Sequence, residues 1–274
     1  MLKDILENKK CFKLICGAGN EDITEVEKLV TLYSLAGCQM FDICAKEEVV
    51  DAAQKGLERA GIKDDRYICI SVGSESDQHF CKAQIDYQKC IQCHKCEEIC
   101  IQNAINYGKI NQTRCIGCKK CVEVCPHNCI KLVQKKTNLK ELLPKLIEKG
   151  LDCIELHVVG EDEQDVDNRW KDLNEMYTGP LCISIDRSKV GDEKILARVE
   201  RMIKNRKPYT TIVQADGIPM SGGKDDYKST LQSIAIAELF QNESLPVYIM
   251  SSGGTNSKTT TLAKMFDLKI NRIN

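Results

Sequence analysis

The sequence has almost no net charge: 39 Lys and Arg against 40 Asp and Glu leave −1, so no global field draws nucleic acid or an anionic membrane. It contains no uninterrupted apolar run of the ~18 residues that a membrane-spanning helix needs. The opening segment MLKDILENKKCFKLICG lacks the continuous apolar core of a signal peptide. These absences point to a soluble, cytoplasmic protein with no membrane span and no nucleic-acid partner. A reducing compartment argues against disulfides, and seventeen cysteines, an odd count in a chain too long to need staples, read as metal ligands where they cluster. No nucleophile or acid/base pair stands out by spacing, so no catalytic residue is identified.

What is present is a βα rhythm. With 274 residues, 42% of them hydrophobic, the chain can bury one large core and carry a compact appended module. Apolar runs rich in Ile and Val recur at FKLICGA, MFDICA, RYICISVG, LDCIELHVV, LCISIDR, TTIVQADG, PVYIMSS and INRIN. Between most of them lie amphipathic stretches at 22–36, 47–59, 139–149, 164–176, 192–205, 226–240 and 258–266. Asp22 with Glu25, and Asn138 with Glu141, mark helix starts. The expected fold is a (β/α)8, TIM-like barrel. Residues 1–80 form its first part and 135–274 its second, with a small ferredoxin-like module, 81–134, inserted after the third strand. The barrel portion falls short of the roughly 250 residues of a complete example, and the last helix is expected to be missing.

The inserted module is an internal repeat. CIQCHKCEEIC, from Cys90 to Cys100, returns as CIGCKKCVEVC, from Cys115 to Cys125, with every cysteine offset by 25 residues. Each half has the spacing C-x2-C-x2-C-x3-C, in which three close cysteines wrap one cubane and the fourth reaches the other. Cluster one is therefore expected on Cys90, Cys93, Cys96 and Cys125, and cluster two on Cys115, Cys118, Cys121 and Cys100. Zinc sites usually present two C-x2-C pairs separated by a longer loop, and that spacing is not the one found here. Pro126 follows Cys125 in the second half, whereas Ile101 takes that place in the first and leaves a less rigid turn. A radical-SAM run is excluded because Leu132 stands where its third cysteine would be.

Eight cations, Lys82, Lys89, Lys95, Lys109, Arg114, Lys119, Lys120 and Lys131, outnumber Asp86, Glu97, Glu98 and Glu123 in the module. They either raise the cluster potentials or simply offset the charge of the thiolate-bound cubes. Of the other cysteines, most fall in strands as small core residues. Cys81 and Cys129 flank the motifs, where packing, redox activity and service as spare ligands are all compatible.

Strand alternation places Asp42 and Cys44, then Cys153, Glu155 and His157, then Cys182, Ser184 and Asp186, then Gln214 and Asp216, on one face each. Polar residues at barrel strand ends build either a ligand site or helix caps. Two glycine loops, residues 216–223 and 251–259, suggest a phosphate site in which Ser221, Gly222, Gly223, Ser252, Gly253, Gly254 and Thr255 would hold flavin or another phosphate-bearing ligand.

DGIPMSGG, SSGGTN, FKLICGAG and the doubled cysteine motif together resemble the light-dependent period protein (LdpA) family, iron–sulfur proteins of photosynthetic bacteria linked to redox input into the circadian clock. The resemblance covers essentially the whole chain. It implies the same eight cluster ligands and importance for segments 216–223 and 252–256, and it names no catalytic residue. Two functions are expected to compete. One is an electron-transfer or redox-sensing protein serving a partner protein or small electron carrier. The other is a barrel oxidoreductase whose flavin or phospholigand is fed by the clusters.

Overall fold

Runs dense in Ile, Val and Phe are buried on both faces here, as in parallel strands covered by helices; the five residues from Met40 to Cys44 are all buried. The computed structural model describes residues 1–62, 64–73, 80–134, 138–158, 162–187, 190–217 and 227–273. In chain order, α1 (Leu2–Glu7), β1 (Phe12–Ile15), α2 (Ile23–Leu35), β2 (Met40–Cys44), α3 (Glu47–Ala60) and β3 (Tyr67–Gly73) come first. The insert contributes β4 (Cys81–Ile85), α4 (Lys95–Glu98), β5 (Ile105–Asn106), β6 (Lys109–Ile110), α5 (Lys120–Val124) and β7 (Ile130–Gln134). The chain resumes with α6 (Leu139–Glu148), β8 (Cys153–Val158), α7 (Glu163–Met176), β9 (Leu181–Ile185), α8 (Asp192–Ile203) and β10 (Thr211–Asp216). It closes with α9 (Tyr227–Asn242), β11 (Tyr248–Ser252), α10 (Thr259–Met265) and β12 (Asn271–Ile273).

Eight parallel strands close into a barrel in the order β1-β12-β11-β10-β9-β8-β3-β2. Strands β3 and β8 remain hydrogen-bonded neighbours across the insertion, with Ser71 opposite Glu155 and Gly73 opposite His157. The insert's β4 and β7 pair antiparallel in a separate sheet, as do β5 and β6. The expected caps form: Asp22 accepts from the N–H groups of Thr24 and Glu25, and Asn138 from that of Lys140, each at 3.1 Å. No helix among the described residues is long and apolar enough to cross a membrane.

Two cores result. The outer one lies between sheet and helices, with Phe41, Ile43, Ile70, Leu143, Ile154 and Leu173 fully buried. The inner one fills the barrel floor with Cys11, Met40, Cys69, Cys153, Cys182, Ile212 and Met250. Helix α1, which the sequence reading does not anticipate, plugs this floor with Leu2 and Leu6. Asn271 ties it down, donating to the Leu6 carbonyl and accepting from the Cys11 N–H, each at 3.1 Å.

Candidate metal centres and barrel mouth

The repeat of 25 residues is also a backbone repeat. Gln92 and Gly117 (φ 54° and 68°), His94 and Lys119 (60° and 70°), and Asn103 and Asn128 (46° and 48°) adopt left-handed conformations at matching places. Paired αR and αL residues curl the chain so that side chains and N–H groups converge on a concave site. One cavity is lined by Cys90, Cys93, Cys96, Cys125 and Cys129, with Ile85, Pro126 and Ile130. The other is lined by Cys100, Cys115, Cys118 and Cys121, with Ala83, Ala104 and Ile105. His94, Glu97 and His127 also border the first cavity, but a convergent set of four or more thiols in each is the donor set that fits an iron–sulfur cube. Backbone N–H groups of Ala83 and Ala104 donate to the sulfurs of Cys115 and Cys100 at 3.4 and 3.3 Å. Burial pushes the Cys121 thiol up to about 11. Burial also works against a Cys125 thiolate, but the Cys129 thiol and the N–H groups of Cys129 and His127 outweigh it and hold its pKa below the ordinary value.

The two cavities differ in what surrounds them. In the first, Cys93 is exposed and shares the cavity wall with Ile91, which is 62% exposed. The second faces the barrel. Lys82 donates to the Gly19 carbonyl at 2.6 Å and to the Cys115 carbonyl at 2.7 Å, and its ammonium lies 3.4 Å from Glu21. The Glu21 N–H donates to the Thr113 carbonyl at 2.8 Å, and Arg114 lies 3.9 Å from both Asp22 and Glu25. Two of the module's eight cations thus dock it rather than surround a cube.

Above the apolar floor the barrel holds a charged layer. Lys13, fully buried on β1, pairs with Asp42 on β2 and Glu155 on β8, and donates to the Gln214 side chain on β10. Ser71 donates to Asp42. Burial opposes every charge here. It and the nearby Glu155 raise the Asp42 pKa, with Lys13 only partly opposing. Against the same burial, Lys13 keeps Glu155 below its usual value, and Asp42 helps keep the Lys13 ammonium charged. One shared lysine and burial thus push the two acids apart, Asp42 up and Glu155 down. Ligand atoms of Asp42, Cys69 and Glu155 lie within 4.8 Å of one another, and Lys13 already supplies the cation among them.

Of the strand-end residues expected together, Asp42, Glu155 and Gln214 join through Lys13, whereas Cys153 and Cys182 belong to the apolar floor. Ser184 donates to Asp216 at 2.8 Å, and His157 lies 3.8 Å from the same carboxylate. Cys44 lines a different space, a cavity of about 670 Å³ between the barrel mouth and the insert, walled by Ser71, Val72, Phe80, Lys82, Gln134 and Leu142 among others. Lys13 and Ser71 are missed by the sequence reading. The available signal is parity: Lys13 stands two residues after floor residue Cys11, as Asp42 follows Met40 and Glu155 follows Cys153.

Ser221, Gly222 and Gly223 lie outside the described residues. In the other loop, a Cβ on Gly253 would fall 1.5 Å from the Asp216 carboxylate, so this glycine makes room for an acid. That negative charge opposes a phosphate, and flavin gains no support. Gly254 has φ 97° and its carbonyl accepts from Thr230 at 3.0 Å. Ser252 is buried with a hydroxyl that has no hydrogen-bond partner among the described residues; Thr255 is half-buried.

Comparison with known proteins adds three findings. Residues 145–273 match the light dependent period A C-terminal domain, and residues 83–106 and 109–131 each match a 4Fe-4S binding domain. The chain is 30% identical over 266 residues to "Light dependent period A" of Synechococcus elongatus, covering 94% of this chain and 74% of that protein. Among solved structures, it superposes on a truncated 3-deoxy-D-arabino-heptulosonate 7-phosphate synthase from Thermotoga maritima with a TM-score of 0.48 and 11% identity, covering 96% of this chain and 73% of that one. A dihydrodipicolinate synthase from Agrobacterium tumefaciens gives 0.47 and 11%, with 98% and 71% covered.

Proposed function

Because this chain belongs to the light dependent period A family, we propose that it is a cytoplasmic redox protein that transfers or senses single electrons through two [4Fe–4S] clusters in residues 81–134. The carrying observation is the pair of thiol-lined cavities, four expected ligands in each. Cys90, Cys93, Cys96 and Cys125 would hold the first cube, and Cys100, Cys115, Cys118 and Cys121 the second. When bound, such clusters supply one-electron exchange and no proton chemistry. Exposed Cys93, with exposed Ile91 on the same cavity wall, gives a protein partner its nearest approach. At the other end, Lys82 and Arg114 hold the Cys115 side of the module against the barrel, so a change at the second cavity is felt by the barrel mouth. The cytoplasm suits a chain of seventeen unbridged cysteines.

A second function, oxidoreductase chemistry in the barrel, is favoured by one observation. The cavity of about 670 Å³ is bounded by Lys82 and by Ser71. Lys82 precedes Ala83, whose N–H meets the Cys115 sulfur, and Ser71 donates to Asp42, whose pKa burial raises. A small organic molecule there would meet an electron route on one wall and the Ser71–Asp42 hydrogen bond on the other.

Anaerobic titration with a reduced ferredoxin-type protein tests the first function. The visible absorbance is expected to bleach reversibly with about one electron per cluster; no bleaching would overturn it. A small molecule released on denaturing freshly purified protein, and lost in Ser71→Val, would establish the second.

A further inference from the structure

One difference between the two halves of the insert bears directly on thiol ligation. Residue 129 in the second half corresponds to residue 104 in the first, and the pair is cysteine and alanine. Ala104 lines the second cavity and offers only its backbone N–H, 3.3 Å from the Cys100 sulfur. Cys129 lines the first cavity, is 5% exposed, and brings its sulfur to 3.2 Å from that of Cys125. A methyl group is enough for packing at this place, as the first half demonstrates. Where four thiols are needed, the first cavity therefore holds five and the second holds four.

We propose that Cys129 is a reserve ligand of the first cluster, able to take the iron that Cys125 holds. The inference rests on the cysteine assignment made above. In the exchange, the Cys125 sulfur–iron bond breaks and a Cys129 sulfur–iron bond forms. The thiol proton of Cys129 passes to the released Cys125 sulfur, and no electron moves. The 3.2 Å separation lets both sulfurs reach one iron without rebuilding the cavity. Pro126 fixes the turn between them. The second cluster has no such recourse, so loss of Cys100 is final for it.

The test uses the full chain after anaerobic reconstitution, reading iron, acid-labile sulfide and the EPR signals of the reduced clusters. Wild type, Cys129→Ala and Cys125→Ala are each expected to hold about eight iron, and the double variant about four. Cys100→Ala should hold about four, and adding Ala104→Cys should restore it towards eight. A Cys125→Ala protein with about four iron overturns the inference. So does a Cys129→Ala protein that loses a cluster, which would make Cys129 the resident ligand. Should Cys125→Ala not fold, the Cys100→Ala pair still decides: failure of Ala104→Cys to restore iron sinks the claim that a thiol at this place can ligate. A wild type holding far less than eight iron instead overturns the cysteine assignment itself.

Discussion

In the barrel, Phe41, Ile43, Ile70, Leu143, Ile154 and Phe240 are among dozens of buried apolar residues, and even the charged layer of Lys13, Asp42 and Glu155 is enclosed. In the insert, the buried cluster is Ala83, Ile105, Cys121, Cys129 and Ile130. Ordering about fifty residues costs ~1–2 kcal/mol each in backbone entropy, far beyond what so few side chains return. The barrel is thus a self-sufficient fold with polar groups placed inside it. The insert is a set of turns that metal–thiolate bonds must complete, as in other small domains that fold only with metal. What couples the two is a short polar seam around Lys82, Glu21 and Thr113.

Metal removal should separate the regions most strongly. After anaerobic chelation, hydrogen exchange is expected to reach fast rates across β4 to β7 while β8 to β11 keep their protection; barrel strands exchanging along with the insert would erase the contrast. Next in size is Lys13→Met, which leaves the Glu155 carboxylate buried without its partner, at a cost of about 3–5 kcal/mol. Urea unfolding monitored on the barrel should register that loss, and Lys13→Met with Glu155→Gln should recover much of it, with the cluster spectrum unchanged in both. Lys82→Met removes two charge-assisted hydrogen bonds, one across the seam to Gly19 and one within the insert to Cys115, about 2 kcal/mol in total after solvent exchange. Faster amide exchange at Gly19 and Cys115 should report it, whereas unchanged exchange would mean that the seam lies elsewhere. The smallest effect is expected from Gly253→Ala, where the new methyl displaces Asp216 from Ser184. A loss of about 1–2 kcal/mol should appear as a lower Tm, and an unchanged Tm would show that the Asp216 side chain is free to move.

The contrast also explains what could be read from sequence. The gathering of eight cysteines into two groups is legible because their spacing is local, and a repeat with fixed offset carries its own control. Barrel strands are legible because burial on both faces writes continuous apolar runs such as MFDICA. Helix α1 escapes because six residues carry too little periodicity, and its role is set by the barrel floor it plugs. Lys13 escapes because a single lysine in FKLI looks like an interruption, and only closure of the barrel brings it to Asp42 and Glu155. The SSGG glycines suggest a phosphate loop, but the space that Gly253 leaves is taken by Asp216, 37 positions earlier in the chain. The seam at Lys82 depends on how the module leans on the β1–α2 loop, which no spacing within either segment encodes.

The central claim is that the insert holds two cubanes on interleaved cysteines, and native mass spectrometry of the anaerobically reconstituted chain tests it most directly. The mass should rise by two cubes, about eight iron and eight sulfide in all, and Cys100→Ala should lose one cube while keeping the other. A chain that saturates with two zinc ions and no sulfide, or a Cys100→Ala protein that loses the cube of Cys90, Cys93 and Cys96 and keeps that of Cys115, Cys118 and Cys121, would contradict it.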